Sequence, residues 1–134
     1  MIRLLYISST REPHSRARLD NILSVSRRNN VAADITGLLI AGGNRFLQVL
    51  EGPEARVQET FERIRFDERH FAPVVLKREA VEERLFGKWA MGFQPGGALN
   101  RTSTMTDEVA GLVAPIDDPL LKAYFEGFAR RHAA

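Results

Sequence analysis

The chain has 134 residues, 44% of them hydrophobic and 27% charged, which suits one domain with its own core and excludes disorder, collagen and coiled coil. Its 19 basic and 17 acidic residues leave a formal net charge of +2, which argues against a dedicated nucleic-acid binder, whose basic residues are in excess and clustered. Cysteine is absent, so disulfide scaffolds, thiol nucleophiles, iron–sulfur clusters and cysteine-based zinc sites are excluded together.

Residues 2–9 (IRLLYISS) carry apolar groups at both parities, Leu4 and Tyr6 on one face and Leu5 and Ile7 on the other. This predicts a central strand covered on both sides. Ser15 is a candidate N-cap for a helix whose face runs Leu19, Ile22, Leu23 and Ser26, with Asn29-Asn30 as its expected end. Residues 35–41 (ITGLLIA) and 45–51 (RFLQVLE) flank Gly42-Gly43-Asn44 and read as a hairpin. Gly52-Pro53 breaks that pattern, Pro53 suits a first helical turn, and Val57, Phe61 and Ile64 repeat at helical spacing to about Phe66. A fourth strand is expected near 73–79 and a fifth in 85–93, with Trp89, Met91 and Phe93 on one face. The order β-α-β-β-α-β-β predicts an α+β, ferredoxin-like five-stranded sheet with both long helices on one face.

Gln94–Thr104 has a linker's composition, and a short helix near 105–113 and a last one near 119–131 are expected after it. Leu121, Tyr124, Phe125 and Phe128 form one stripe on that last helix, so C-terminal helices are expected to cover the other sheet face. The longest apolar stretch, Ile35–Gly43, falls far short of the ~20 residues of a membrane span. The N-terminus lacks a signal peptide's layout, and the expectation is a soluble cytoplasmic protein. His14, His70 and His132 lie too far apart to suggest a metal site by spacing.

Several polar side chains stand where a generic core has no use for them. Tyr6 is mid-strand, and Gln48 sits among Phe46, Leu47, Val49 and Leu50; a buried phenol or amide without a partner costs ~1–3 kcal/mol. Asn29-Asn30 ends a helix over the same layer, and Trp89-Ala90-Met91 brings an indole donor and a thioether to one strand. Singly, each has a plainer explanation: a satisfied core tyrosine, an edge glutamine, a helix C-cap, ordinary packing.

Together they resemble a family. Leu4-Leu5-Tyr6-Ile7-Ser8, Arg28-Asn29-Asn30, Ile35-Thr36-Gly37-Leu38-Leu39, Phe46-Leu47-Gln48-Val49-Leu50-Glu51-Gly52, Asp67-Glu68-Arg69-His70, Phe86 and Trp89-Ala90-Met91 resemble, in order over roughly residues 1–93, the BLUF domain, the blue-light sensor that uses FAD. The likeness is greatest to short, stand-alone BLUF proteins with a helical C-terminal extension and no enzymatic output domain. It implies a flavin-binding domain over 1–95 and a linker with helical extension over 96–134. It implies that the flavin ring stands between the two long helices, with Tyr6 as the photoactive tyrosine and Gln48 bridging it to the flavin. Asn30, with Asn29 beside it, would hold the polar ring edge, and Ile22 and Ile64 would sandwich the ring. Arg63, Asp67, Arg69 and His70 would surround its other edge or the ribityl chain. Trp89 and Met91 would be the pair whose exchange in and out of the pocket is linked to signalling. Many relatives have Ser between those two, where this chain has Ala90. The resemblance also implies no enzymatic activity, a light-dependent downstream protein partner, no direct nucleic-acid contact, and a homo-oligomer.

The chemistry agrees with that assignment. Excited flavin is a strong oxidant and a phenol is readily oxidised, but its proton must leave with the electron. An amide offers an acceptor at one end and donors at the other, so it can take up that proton and reverse or tautomerise. Two other classes share the strand order. An RNA-binding module needs exposed aromatics on strands one and three, and strand three offers only Phe46. A ferredoxin-like acylphosphatase needs an Arg and an Asn over a phosphate loop; Arg11 and Asn44 exist without a glycine-rich anion cradle.

Overall fold

Strand β1 (Ile2–Ser9) is apolar at both parities and lies inside the sheet, hydrogen-bonded on one side to β3 (Arg45–Gly52) and on the other to β4 (Phe71–Ala80). Strand β2 (Thr36–Gly42) continues from β3 as a hairpin in which Gly42 pairs with Arg45. These four strands are antiparallel in the order β4-β1-β3-β2, and a short β5 (Gly92–Pro95) adds parallel to β2 at its outer edge. Helices α1 (Arg16–Ala33), α2 (Glu54–Arg65) and α3 (Pro119–Arg131) complete an α+β fold. The structure is a computed structural model and describes residues 1–11, 16–42, 44–67, 71–87, 92–95, 111, 113–114 and 118–131.

Strand parity decides the layers. Leu4, Tyr6, Leu39, Phe46 and Leu50 face one side and pack against Leu19, Ile22 and Leu23 of α1 and Val57 and Phe61 of α2. Leu5, Leu38, Ile40, Leu47 and Val49 face the other, where Leu121, Phe125, Phe128 and Ala129 of α3 cover them together with Phe86 and Val113. At ~1.5–3 kcal/mol for each large side chain fully removed from water, either layer left bare would unfold the domain.

Three boundaries differ from the sequence reading. First, α1 does not end at Asn29-Asn30 but runs on to Ala33. Asn costs a helix interior only a few tenths of a kcal/mol, so nothing at that pair forces an exit. The exit comes at Asp34, which takes the left-handed φ of 58°. There the Ile35 N–H donates to the Asn30 carbonyl at 2.8 Å and the Asp34 N–H to the Val31 carbonyl at 3.3 Å, the paired bonds of a Schellman turn. Second, Pro53 is the N-cap of α2, with extended ψ of 134°, and Glu54 begins the helix.

Third, residues 85–87 are not strand, and β5 starts at Gly92. The segment after β4 is held by side chains instead of a ladder. Glu51 accepts from the backbone N–H groups of Leu85 and Phe86, and Arg84 donates to the Asp34 and Glu51 carbonyls. The expected Trp89 and Met91 lie outside the described residues, as does most of the expected helix near 105–113.

Helix α3 begins where Asp118 caps it: its carboxylate accepts from the Leu120 and Leu121 N–H groups at 3.1 and 3.2 Å, and Pro119 takes the first helical position. The same carboxylate accepts from Lys77 of β4 at 2.8 Å, a bond that lowers the Asp118 pKa and raises that of Lys77.

Gly37 is the closest point of the hairpin. A Cβ there would sit 2.0 Å from the Val49 carbonyl oxygen, inside backbone that cannot give way. Gly37→Ala is expected to lower stability by ~1–3 kcal/mol or more, read as a fall in the urea midpoint at unchanged m-value.

Candidate functional site

On the helix-covered face, β1 and β3 pair Tyr6 directly opposite Gln48. The Tyr6 hydroxyl donates to Gln48 Oε1, and the two side chains are 0% and 4% exposed. The Phe61 ring meets Tyr6 edge-on at 5.0 Å between centroids. Burial pushes the Tyr6 phenol far above its ordinary pKa, because the low-dielectric surroundings penalise a phenolate. The phenol therefore stays protonated, and Gln48, with Oε1 engaged, presents its amide nitrogen as a donor end.

Above this pair, α1 and α2 part to leave a cleft with about 490 Å³ of space free of protein atoms, part of it continuous with solvent. One wall is Ile22, Val25, Ser26, Asn29 and Asn30, spaced i, i+3, i+4, i+7 and i+8 on α1. The other is Thr60, Arg63, Ile64 and Asp67, spaced i, i+3, i+4 and i+7, and Gln48 enters from the sheet. Each helix thus presents one continuous stripe, and the stripes face each other. The result is apolar side chains from Ile22, Val25 and Ile64, the buried carboxamides of Asn30 and Gln48, the half-buried Asn29 and Asp67, and the exposed Arg63. Apolar side chains on two facing walls can stack on a flat ring, and carboxamides can pair with carbonyl and imide groups.

The structure brings Tyr6, Ile22, Asn29, Asn30, Gln48, Arg63, Ile64 and Asp67 to this one place, Tyr6 behind Gln48 and the others lining the cleft. Arg69, His70, Trp89 and Met91 are outside the described residues. Sequence reasoning left out Val25, Ser26 and Thr60. The signal for the first two was present, since they lie one turn beyond Ile22. Thr60 was discoverable only from its spacing to Arg63, whose guanidinium donates to the Thr60 hydroxyl at 3.4 Å. Asn30 is 2% exposed within a continuing helix, so its burial, and not a capping duty of its side chain, puts the amide in the cleft.

The RNA-binding alternative needs an open sheet face, and Phe46, its one aromatic on strand three, is buried beneath the helices. Among the described residues there is no group of three metal-ligating side chains, and no helix is long and apolar enough to cross a membrane.

Comparison with known proteins agrees with the geometry. A family model for BLUF, sensors of blue light using FAD, matches residues 1–92. The blue light- and temperature-regulated antirepressor BluF of Escherichia coli (strain K12) is 35% identical over 88 residues, which is 66% of this chain and 22% of that protein. Photoactivated adenylate cyclase subunit alpha of Euglena gracilis is 32% identical over 120 residues, 90% of this chain and 11% of the relative. The chain therefore spans only a small part of the length of these curated relatives. The dark-state structure of BlrB, a BLUF protein, aligns with a TM-score of 0.72 at 26% identity, covering 97% of this chain and 96% of that one. The chain belongs to the BLUF family, sensors of blue light using FAD.

Proposed function

We propose that this domain senses blue light through the Tyr6–Gln48 hydrogen bond at the floor of the α1/α2 cleft. That bond is the observation that carries the reading: it places a transferable phenolic proton on a buried amide whose other end lines the cleft. The isoalloxazine of FAD fits the donor set, with Asn29, Asn30 and Gln48 to its polar edge and Ile22, Val25 and Ile64 to its faces. Arg63 and Asp67, together with Arg69 and His70 as the family resemblance implies, would hold the outer edge or ribityl chain. When bound, FAD supplies the absorption of blue light and a strong excited-state oxidant.

The protein's own part follows from the geometry. Tyr6 holds its proton on Oη, kept there by burial, and points it at Gln48 Oε1. Loss of an electron to the bound oxidant would make the Tyr6 phenol strongly acidic, so its proton would pass along the existing bond to Oε1. Once the electron is returned to Tyr6, Gln48 can give the proton back with its amide reversed or tautomerised, exchanging a donor for an acceptor toward the cleft. Trp89 and Met91 are proposed, from the resemblance, to answer that exchange. Residues 1–95 form the light-sensing domain in this reading and 96–134 a linker and helical extension that hands the change to a downstream protein. The printed names of the E. coli and Euglena relatives join light to an antirepressor and to a cyclase, which supports such a relay in place of catalysis by this domain.

Three outcomes test the reading. Tyr6→Phe and Gln48→Leu are each expected to bind FAD and to lose the light-induced red shift of its visible spectrum; a full reversible shift in either variant overturns the mechanism. Asn30→Ala is expected to weaken FAD binding by ~1–3 kcal/mol, measured by flavin fluorescence titration.

The third concerns pH. The unfolded tyrosine ionises near pH 10, while folded Tyr6 does not until far higher. Its contribution is therefore intact below about pH 10 and lost above it, by up to ~1.4 kcal/mol per pH unit. The difference between the urea midpoints of wild type and Tyr6→Phe, measured from pH 8 to 11, is expected to stay constant up to about pH 10 and to change above it, with wild type falling more steeply.

A further inference from the structure

A polar row crosses four strands at one end of the sheet, on the face away from the cleft. Glu79 of β4, Arg3 of β1, Glu51 of β3 and Thr36 of β2 stand side by side in register. Glu51 is its centre and is fully buried. Its Oε2 accepts from Arg3 Nε at 3.1 Å and from the Leu85 N–H at 3.0 Å; its Oε1 accepts from the Thr36 hydroxyl at 3.2 Å and from the Phe86 N–H at 2.5 Å. A buried carboxylate on an ion pair alone is weak evidence of stability, since the desolvation cost offsets the attraction. Here two of its four bonds go to the backbone of the segment after β4, which has no ladder of its own.

That segment is where the two faces meet. Glu51 is three residues from Gln48 on the same strand, so the strand's period of two sends the two side chains to opposite faces. Phe86, clamped by Glu51, packs against Phe125 of α3 with 6.1 Å between ring centroids. Arg84 in the same segment donates to the Asp34 carbonyl at 2.8 Å, just past the end of the helix that carries Asn30.

The geometry points to Glu51 as a positioning residue that couples the cleft to α3: by fixing the Leu85 and Phe86 amides to β3, it converts a change at Gln48 into a change in how Phe86 seats α3. This rests on the light-sensing reading above.

Glu51→Gln tests it with little change of shape. The variant's amide nitrogen must replace one oxygen. Facing Arg3 and Leu85 it would oppose two obligatory donors. Facing Thr36 and Phe86 it opposes one, because the hydroxyl can turn and accept. The Phe86 N–H is therefore the group that loses its acceptor, and its hydrogen exchange in darkness is expected to quicken roughly tenfold or more.

The decisive measurement uses the FAD-loaded full chain, recording the visible spectrum and hydrogen exchange of residues 119–131 in darkness and under blue light. Wild type is expected to show both a red shift and a light-dependent exchange change in α3; E51Q is expected to keep the red shift and lose the exchange change. E51Q with the wild-type α3 response overturns the coupling. A wild-type red shift with identical α3 exchange in light and dark overturns the coupling and leaves the light sensor standing. Absence of the red shift in FAD-loaded wild type removes both. If E51Q fails to hold FAD, Phe86→Leu decides: it keeps the backbone clamp but removes the ring contact, and a full α3 response in that variant overturns the coupling equally.

Discussion

Neither face of β1 or β3 can be left to water, and the rest of the architecture follows from that constraint. Both strands are apolar at odd and even positions, so one layer of helices is insufficient however well it packs. The chain meets the demand with α1 and α2 on one side and α3, Phe86 and Val113 on the other. A sheet sealed on both sides has an interior at two depths, and every polar group placed in either must find its partner inside the protein or in a bound molecule.

The two buried polar pairs answer that demand in opposite ways. Arg3 and Glu51 are charged and surrounded by further donors and acceptors, so their arrangement is over-determined and stiff. Tyr6 and Gln48 are neutral, and an amide turned end for end exchanges a donor for an acceptor without creating a charge. Buried neutral groups can rearrange at a modest cost, whereas a buried ion that loses its partner costs several kcal/mol. The stiff pair and the adaptable pair sit three residues apart on β3, and the difference in their chemistry makes Gln48 the group that can turn and Glu51 the rigid link to the far face.

Much of this was legible in the residues. The double-sided strand at 2–9, the hairpin at 35–51, the stripe of α3 and the oddity of Gln48 among aliphatic neighbours are all local patterns. What escaped was decided by contacts distant in sequence. Asn29-Asn30 reads as a stop because Asn is common at helix ends, yet the stop depends on which residue can adopt a left-handed conformation, and Asp34 does so while Arg84, fifty residues on, bonds to its carbonyl. Residues 85–87 read as strand because their composition is apolar, but the Leu85 and Phe86 backbone donors are taken by the Glu51 carboxylate. Thr60 and Val25 belong to the cleft only because two helices face each other, which neither helix states alone. The last helix near 119–131 was legible, and the structure adds its Asp118 cap and that cap's tie to Lys77.

The position of β1 between β3 and β4 bears on how the chain comes to be folded during synthesis. Within this sheet β1 leaves the ribosome before the strands that flank it: Ser9 pairs with Phe71 and Ile2 with Ala80. At ordinary rates of translation several seconds separate the two, and throughout them a strand greasy on both sides lacks one of its neighbours. The β2–β3 hairpin is the earliest partner available in this sheet, and it can bring Gln48 opposite Tyr6 before β4 exists. The floor of the cleft can thus be assembled ahead of the edge strand that closes the sheet, so a nascent chain can frame its cleft face while its far edge is still unmade.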